Sequence, residues 1–228
     1  MTLPVRGVIQ QNTTMDALHN LRSEYSGQRL DEDQLPDSPF DLFRAWFREA
    51  EEAGEAEPNA MVLSTLRNGR PSSRVVLLKG IDRGGFWFFT NYESAKAREL
   101  LEAPVAALNF FWPKVHRQVR VEGSVRRLPP EDSDTYFHSR PRGSRIGAWA
   151  SPQSTVLRSR EELEQMVQDA EVRFGEEGEI PRPDGWGGFR VEADRFEFWQ
   201  GQQSRLHDRI VYRDGHEDRG WVRERLAP

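Results

Sequence analysis

The chain has no cysteine, which excludes disulfides, thiolate zinc sites and a cysteine nucleophile. Lysine is almost as scarce: of 32 basic residues only Lys79, Lys96 and Lys114 are lysines, and the rest are arginine. A codon bias towards arginine accounts for the skew, yet it marks each retained lysine as a place where a compact ammonium counts. There is no basic excess. A net charge of −5 argues against a nucleic-acid binder. No apolar run approaches membrane length and no signal-peptide core opens the sequence, so the chain reads as soluble and cytoplasmic, with no membrane contact. It also lacks a G-x-G-x-x-G after a strand, a Walker-type loop and a serine nucleophile elbow. The five histidines have no metal-ligand spacing, and no metal is expected.

What is present is a chain of 228 residues, low in hydrophobic content at 36% but supplied with seven Trp and thirteen Phe as large burial units. That length suits one largish domain with an arm: residues 1–36 read as an arm, residues 37–228 as the domain. A short helical piece is expected over Met15–Tyr25, and Asp31-Glu32-Asp33 reads as a solvated acidic turn. Ser38-Pro39 opens a helix whose Phe43, Trp46, Phe47 and Ala50 form one buried face, and Gly54 ends it. Strands follow over Ala60–Leu66 and Ser72–Lys79, joined at Asn68-Gly69, a hairpin signal. Further strands are predicted over Phe86–Thr90, Val105–Phe111, Arg117–Arg127, Gly187–Ala193, Arg195–Trp199, His207–Arg213 and Gly220–Leu226. Helices are predicted over Ser94–Ala103, from Pro130 to Ser139, near Ser144–Trp149 and from Ser159 to Phe174. Eight or nine hairpin-connected strands with inserted helices indicate a mainly β, antiparallel barrel of the α+β type.

Polar donors recur at the ends of these elements. Arg74 and Lys79 bracket an apolar strand and by parity face opposite sides. Thr90 to Lys96 joins a strand to a helix N-terminus, where backbone N–H groups and an ammonium suit a phosphate or simply cap a helix. Tyr136, Arg140 and Ser144 are spaced by four; Pro141 interrupts the helix, so Ser144 is expected to cap the next one. Even so, phenol, guanidinium and hydroxyl form a cradle for a phosphate dianion. Gln118 lies on a strand face opposite Val119 and Val121, and Gln153-Ser154 adds an amide and a hydroxyl. From Phe198 to Arg209 the text reads FWQGQQSRLHDR. If a strand opens at Arg205, then Arg205, His207 and Arg209 share one face, with Leu206, Ile210 and Tyr212 on the other.

Taken in order, these segments resemble the pyridoxine/pyridoxamine 5′-phosphate oxidase family. The matching text is Glu57 to Met61, RVVLLK (74–79), FFTN (88–91), RQVRVEG (117–123) and YFHSRPRGSRIGAW (136–149). It continues with SPQS (151–154), WGGFRV (186–191), EFWQG (197–201), RLHDR (205–209) and RLAP (225–228). The resemblance implies an FMN-binding split β-barrel homodimer with two active sites at the subunit interface. On matching positions it implies FMN contacts at Arg74, Lys79, Phe89, Thr90, Lys96, Gln118, Gln153, Ser154, Trp199 and Arg209. It implies a substrate-phosphate clamp of Lys79, Tyr136, Arg140 and Ser144. Arg205 and His207, the candidate catalytic pair, would lie over the substrate ring, and Arg22 to Tyr25 would form a flap. The implied reaction oxidises pyridoxine or pyridoxamine 5′-phosphate to pyridoxal 5′-phosphate with dioxygen, releasing hydrogen peroxide.

Two positions depart from the family pattern. Ala95 replaces an arginine expected after Ser94, with Arg98 a candidate to compensate, and Arg145 replaces a glutamine beside the phosphate site. Two other readings stand beside the main one: a same-fold FMN oxidase acting on another substrate, such as a phenazine precursor, and a non-catalytic flavin- or haem-binding module. The first needs no substrate-phosphate clamp. The second needs no RLHDR facing a ligand.

Overall fold

The computed structural model describes residues 24–25, 27–82, 84–215 and 220–228. Arg22, the expected helical piece before Tyr25, and His216 lie outside the described residues.

Helix α1 (Pro39–Glu52) starts at Ser38, whose backbone is extended but whose side chain makes no capping bond. Phe40, Leu42, Phe43, Trp46 and Ala50 are buried on its inner face. The first hairpin, β1 (Ala60–Arg67) and β2 (Arg70–Leu77), turns at Asn68 and Gly69, both with left-handed φ of 52° and 72°. That pair of positive φ values matches the right-handed twist of the strands it joins. After the short β3 (Gly80–Asp82) and β4 (Gly85–Asn91) comes α2 (Ala95–Glu102), capped by the Ser94 hydroxyl accepting from Ala97 N. Then follow β5 (Val105–Trp112), β6 (Arg117–Arg127), α3 (Pro130–Ser139), α4 (Arg142–Ala150) and α5 (Arg160–Phe174). The chain ends with β7 (Trp186–Gln200), β8 (Asp208–Asp214) and β9 (Trp221–Leu226).

All nine strands belong to one antiparallel sheet, ordered β2-β1-β5-β6-β7-β4-β3, with β8 and β9 branching from β7. The sheet is not closed, since β2 and β3 end the path without pairing to each other. The branch point explains the one strand that was expected as two. Glu122 pairs with Arg195 and Gly123 with Ala193, so Asp194 is an extra residue, a bulge within a continuous β7. Before the bulge β7 pairs with β4; after it, with β8. Gly123 sits where the partner backbone closes in, since a Cβ there would lie 1.9 Å from Glu192 O.

A large aromatic core lies between α1 and the sheet, including the fully buried Phe43, Phe86, Phe88, Phe110, Phe196 and Phe198. Each such ring contributes on the order of 2 kcal/mol on burial, which offsets the chain's low apolar content. A smaller core of Phe137, Ile146, Ala150, Ala170, Ile180 and Trp186 joins α3, α4 and α5 to the start of β7. The seam between the two cores is where the cavity opens.

Two further expectations are corrected. Pro141, not Ser144, stands at the N-cap of α4, so Ser144 lies inside the first turn of that helix. The strand β8 opens at Asp208, not Arg205. Gln203 to Arg205 form a tight turn in which Ser204 and Arg205 both have positive φ, 56° and 63°. The alternation of faces therefore fails before Asp208: Ile210 and Tyr212 are buried, but Leu206 is 69% exposed.

Candidate functional site

A cavity of about 630 Å³ lies at the seam, lined by Lys79, Phe89, Thr90, Lys96, Tyr136, Arg140, Ser144 and Gln153 among others. The main-chain edge of β2 forms one wall, and α3 and α4 supply the other. Phe89, Tyr136 and Trp186 form a stack, with ring centroids 4.1 Å apart for Phe89–Tyr136 and 5.4 Å for Phe89–Trp186. Gly188 makes that stack possible: a Cβ there would lie 2.8 Å from Phe89 Cε1 and 2.4 Å from Leu128 Cδ1. The Arg140 guanidinium lies over Trp186 at 4.7 Å.

The cations here lack the carboxylate partners that such groups normally have. Arg140 Nη1 is buried without a hydrogen-bond partner among the described residues. Burial pushes the Arg140 pKa down, with Tyr136 acting against the shift. Lys96 Nζ meets only neutral oxygens, Thr90 Oγ1 at 3.2 Å, Gln153 Oε1 at 3.1 Å and Ser94 Oγ at 3.5 Å. Burial and then the charge of Arg74 lower its pKa, while Glu99 partly restores it. Among the described ion pairs, none involves Lys79, Lys96 or Arg140. Three cations around one cavity without a carboxylate form a receptor for a multiply charged anion.

Arg74 is not among the residues lining this cavity, though its charge is felt by Lys96. It donates to Thr65 Oγ1 at 2.5 Å, Ser72 Oγ at 2.6 Å and Glu99 Oε2 at 2.7 Å. Burial alone would raise the Glu99 carboxyl, but hydrogen bonds from Thr65 and Arg74 outweigh it and hold the pKa below the usual range. Ser154 stands at the rim and accepts from Ala95 N at 3.1 Å. Arg98 is exposed on α2 and does not line the cavity. Arg145 does not line it either, and its Nε is buried without a described partner.

The remaining expected residues gather elsewhere. Gln118, Trp199 and Arg209 form one row across β6, β7 and β8. His207 packs against Trp199 at 4.6 Å, and Tyr25 contacts Trp199 at 5.6 Å and His207 at 5.7 Å. Gln202 N donates to His207 Nδ1 at 3.0 Å, so the neutral ring carries its proton on Nε2. Burial, then the nearby Arg205, lower the His207 pKa. Trp186 and Trp199 mark the two clusters on the same strand, thirteen residues apart along β7. At about 3.3 Å per residue that is roughly 40 Å. The residues lining the cavity include none of Gln118, Trp199, His207 or Arg209.

Two acids that the sequence reading passed over support the second cluster. Asp208 is buried and its Oδ2 accepts from Leu30 N at 3.1 Å and Gln202 Nε2 at 2.9 Å, while Oδ1 accepts from Arg225 Nη1. Arg225 also pairs with Glu32, holding that carboxyl down at about 2, so the acidic turn of the arm is tied to the sheet through Glu32 while Asp31 and Asp33 are exposed as expected. Glu197 is the second, 3% exposed among arginines. The signal for both was available: each acid sits between basic or aromatic residues at a position whose neighbours alternate.

Residues 47–174 match the family described as "Pyridoxamine 5′-phosphate oxidase", and residues 186–228 match the "Pyridoxine 5′-phosphate oxidase C-terminal dimerisation region". A Salinibacter ruber protein named pyridoxine/pyridoxamine 5′-phosphate oxidase is 53% identical over 215 residues, covering 94% of this chain and 100% of its own. One of the same name from Pseudomonas fluorescens is 52% identical, covering 93% of this chain and 99% of its own. Among solved structures, PhzG from Burkholderia lata in complex with tetrahydrophenazine-1-carboxylic acid superposes with a TM-score of 0.81 at 30% identity, covering 89% of this chain and 100% of its own. A pyridoxamine 5′-phosphate oxidase-related, FMN-binding protein from Nostoc punctiforme shares the fold, with a TM-score of 0.66 at 16% identity, over 85% of this chain and 100% of its own.

Proposed function

Since the chain belongs to the pyridoxine/pyridoxamine 5′-phosphate oxidase family, we propose the following division of its residues in that reaction. The enzyme is an FMN-dependent oxidase that makes pyridoxal 5′-phosphate. FMN bound here would supply the redox chemistry, accepting a hydride from C4′ of the B6 phosphate and passing the electron pair, with a proton, to dioxygen to give hydrogen peroxide.

The donor set fits that cofactor. Lys96, Thr90, Gln153 and Ser154 surround the N-terminus of α2 and hold the FMN phosphate there, where backbone N–H groups and the dipole favour an anion. Arg74, held by Glu99 and Thr65, adds positive potential that reaches Lys96. Lys79, Tyr136, Arg140 and Ser144 hold the substrate phosphate across the same cavity. Arg140 is half-buried with its Nη1 enclosed and unpaired, and a phosphate oxygen supplies the missing partner.

Gln118, Trp199, Arg209, Arg205 and His207 come from the partner chain. The region of dimerisation covers β7 to β9, which carry four of these residues or lead into them. Phe111, paired with Gln118 across β5 and β6 in the same row, is 52% exposed, an aromatic ring a partner would cover. His207 then offers its Nε2–H to the substrate ring while Arg205 offers a cation that does not titrate. Tyr25, packed on Trp199 and His207, closes the site from the arm. Holding the substrate at both ends would orient C4′ for the transfer and exclude water, which is the protein's share of the catalysis.

The observation that carries this assignment is the unpartnered Arg140 beside Lys79, Tyr136 and Ser144. It also weighs against a phenazine-type substrate without a phosphate ester. Steady-state turnover of pyridoxamine 5′-phosphate against pyridoxamine tests it. Wild-type enzyme strongly prefers the ester, and Arg140→Ala raises its KM by about tenfold or more, with kcat less affected. Equal kcat/KM for the two compounds defeats the assignment.

A further inference from the structure

The face of the C-terminal sheet opposite the aromatic core carries three rows, one beneath another. Gln118, Trp199 and Arg209 form the first; Arg120, Glu197 and Val211 the second; Glu122, Arg195 and Arg213 the third. Glu197 lies directly below the row assigned to FMN and is 3% exposed. Three guanidiniums reach it, but not equally. Arg120 and Arg195 approach at 3.3 and 3.2 Å, and each makes a shorter bond to Glu122, at 2.8 and 2.7 Å. Arg209 donates to Glu197 twice, from Nε at 2.9 Å and Nη2 at 2.8 Å. Its other bond runs from Nη1 to the Ala227 carbonyl at 2.9 Å. Among the described residues Glu197 is the only acid paired with Arg209, whereas Arg120 and Arg195 keep Glu122 if Glu197 is lost.

We propose that Glu197 is a positioning residue for the cofactor, fixing the Arg209 guanidinium so that its remaining N–H groups point at FMN, and tempering the charge Arg209 delivers there. Two of the five guanidinium N–H groups remain after the bonds to Glu197 and Ala227. A rotating arginine would lose entropy on each cofactor contact; one held on two sides has already lost it. The carboxylate also sets a negative charge behind the guanidinium, which lowers the positive potential felt by a reduced flavin. This inference rests on the reading that Arg209 touches FMN.

The test is a double-mutant cycle on the dimer, reading the FMN dissociation constant by flavin fluorescence and the flavin midpoint potential, with Glu197→Gln, Arg209→Gln and the double variant. Glu197→Gln is expected to weaken FMN about tenfold and to move the potential positive, while Arg209→Gln weakens FMN and moves it negative. The double variant should bind FMN no more weakly than Arg209→Gln alone. Full additivity, or a Glu197→Gln protein with wild-type affinity and potential, overturns the inference while leaving the site intact. If Arg209→Gln changes neither quantity, the assignment of Arg209 to FMN fails and the inference falls with it. Should Glu197→Gln not fold, Glu197→Asp keeps the charge but shortens the reach; weaker FMN with a nearly unchanged potential is the supporting result, and unchanged affinity the contrary one.

Discussion

Arg205 occupies a left-handed backbone position directly after another, Ser204, at φ 63° and 56°. For residues with a Cβ this costs about 1–2 kcal/mol each, so the surrounding turn must hold it. Gln202 does part of that, donating its N–H to His207 and its side-chain amide to Asp208. Arg205→Ala is expected to lower kcat about a hundredfold with FMN still bound, since the loss is confined to orienting the substrate; unchanged steady-state rates would remove the role. His207 makes a second prediction, through pH. Its folded pKa is lowered from 6.5 by burial and by Arg205, so the neutral ring persists at pH 7. In an unfolded chain the ring protonates near 6.5. As the pH falls below that value, the folded state loses stability through His207, and above it nothing is lost. Protonation also places an N–H against the donor of Gln202. An acid limb in kcat/KM, with an apparent pKa below 6.5, should disappear in His207→Gln. A limb that survives the substitution assigns it to another group.

At the scale of elements, β7 is the organising strand, and its bulge at Asp194 sets which face each later residue takes. Inserting one alanine between Phe196 and Glu197 would shift every following residue of β7 by one against β6, moving Phe198 outwards and Glu197 into the aromatic core. The expected outcome is loss of cooperative thermal unfolding by circular dichroism; an insertion variant that folds and binds FMN contradicts the account. Here the sequence was informative in a particular way. The hydrophobic alternation on both sides of Asp194 was legible, as were the Asn68-Gly69 hairpin and the α1 face, because each rests on local periodicity. Asp194 read as a gap between two strands because a bulge and a loop look alike without the partner strand. The strand expected from Arg205 failed for a different reason: neither Ser204 nor Arg205 is a residue type that marks a left-handed turn. The cavity residues Tyr136, Arg140 and Ser144 were legible as a set, yet Ser144 was misread as a cap because Pro141 itself starts α4.

Over the whole molecule, what the sequence did not convey is distance. Residues assigned to one site fall into two clusters on one chain, roughly 40 Å apart along β7. Register and strand length decide that, and both depend on pairing between residues far apart in the sequence. On the proposed assignment the dimer is a condition of activity, with the cavity of one chain completed by the RLHDR segment of the other. A mixed dimer of Arg140→Ala and Arg205→Ala chains tests this most directly. One of its two sites carries both substitutions, and the other carries neither. On anaerobic mixing with pyridoxamine 5′-phosphate, the account predicts that half of the flavin in that dimer bleaches at the wild-type rate, while each parent homodimer bleaches slowly throughout. If the mixed dimer bleaches no faster than its parents, each chain holds its site alone and the account is wrong.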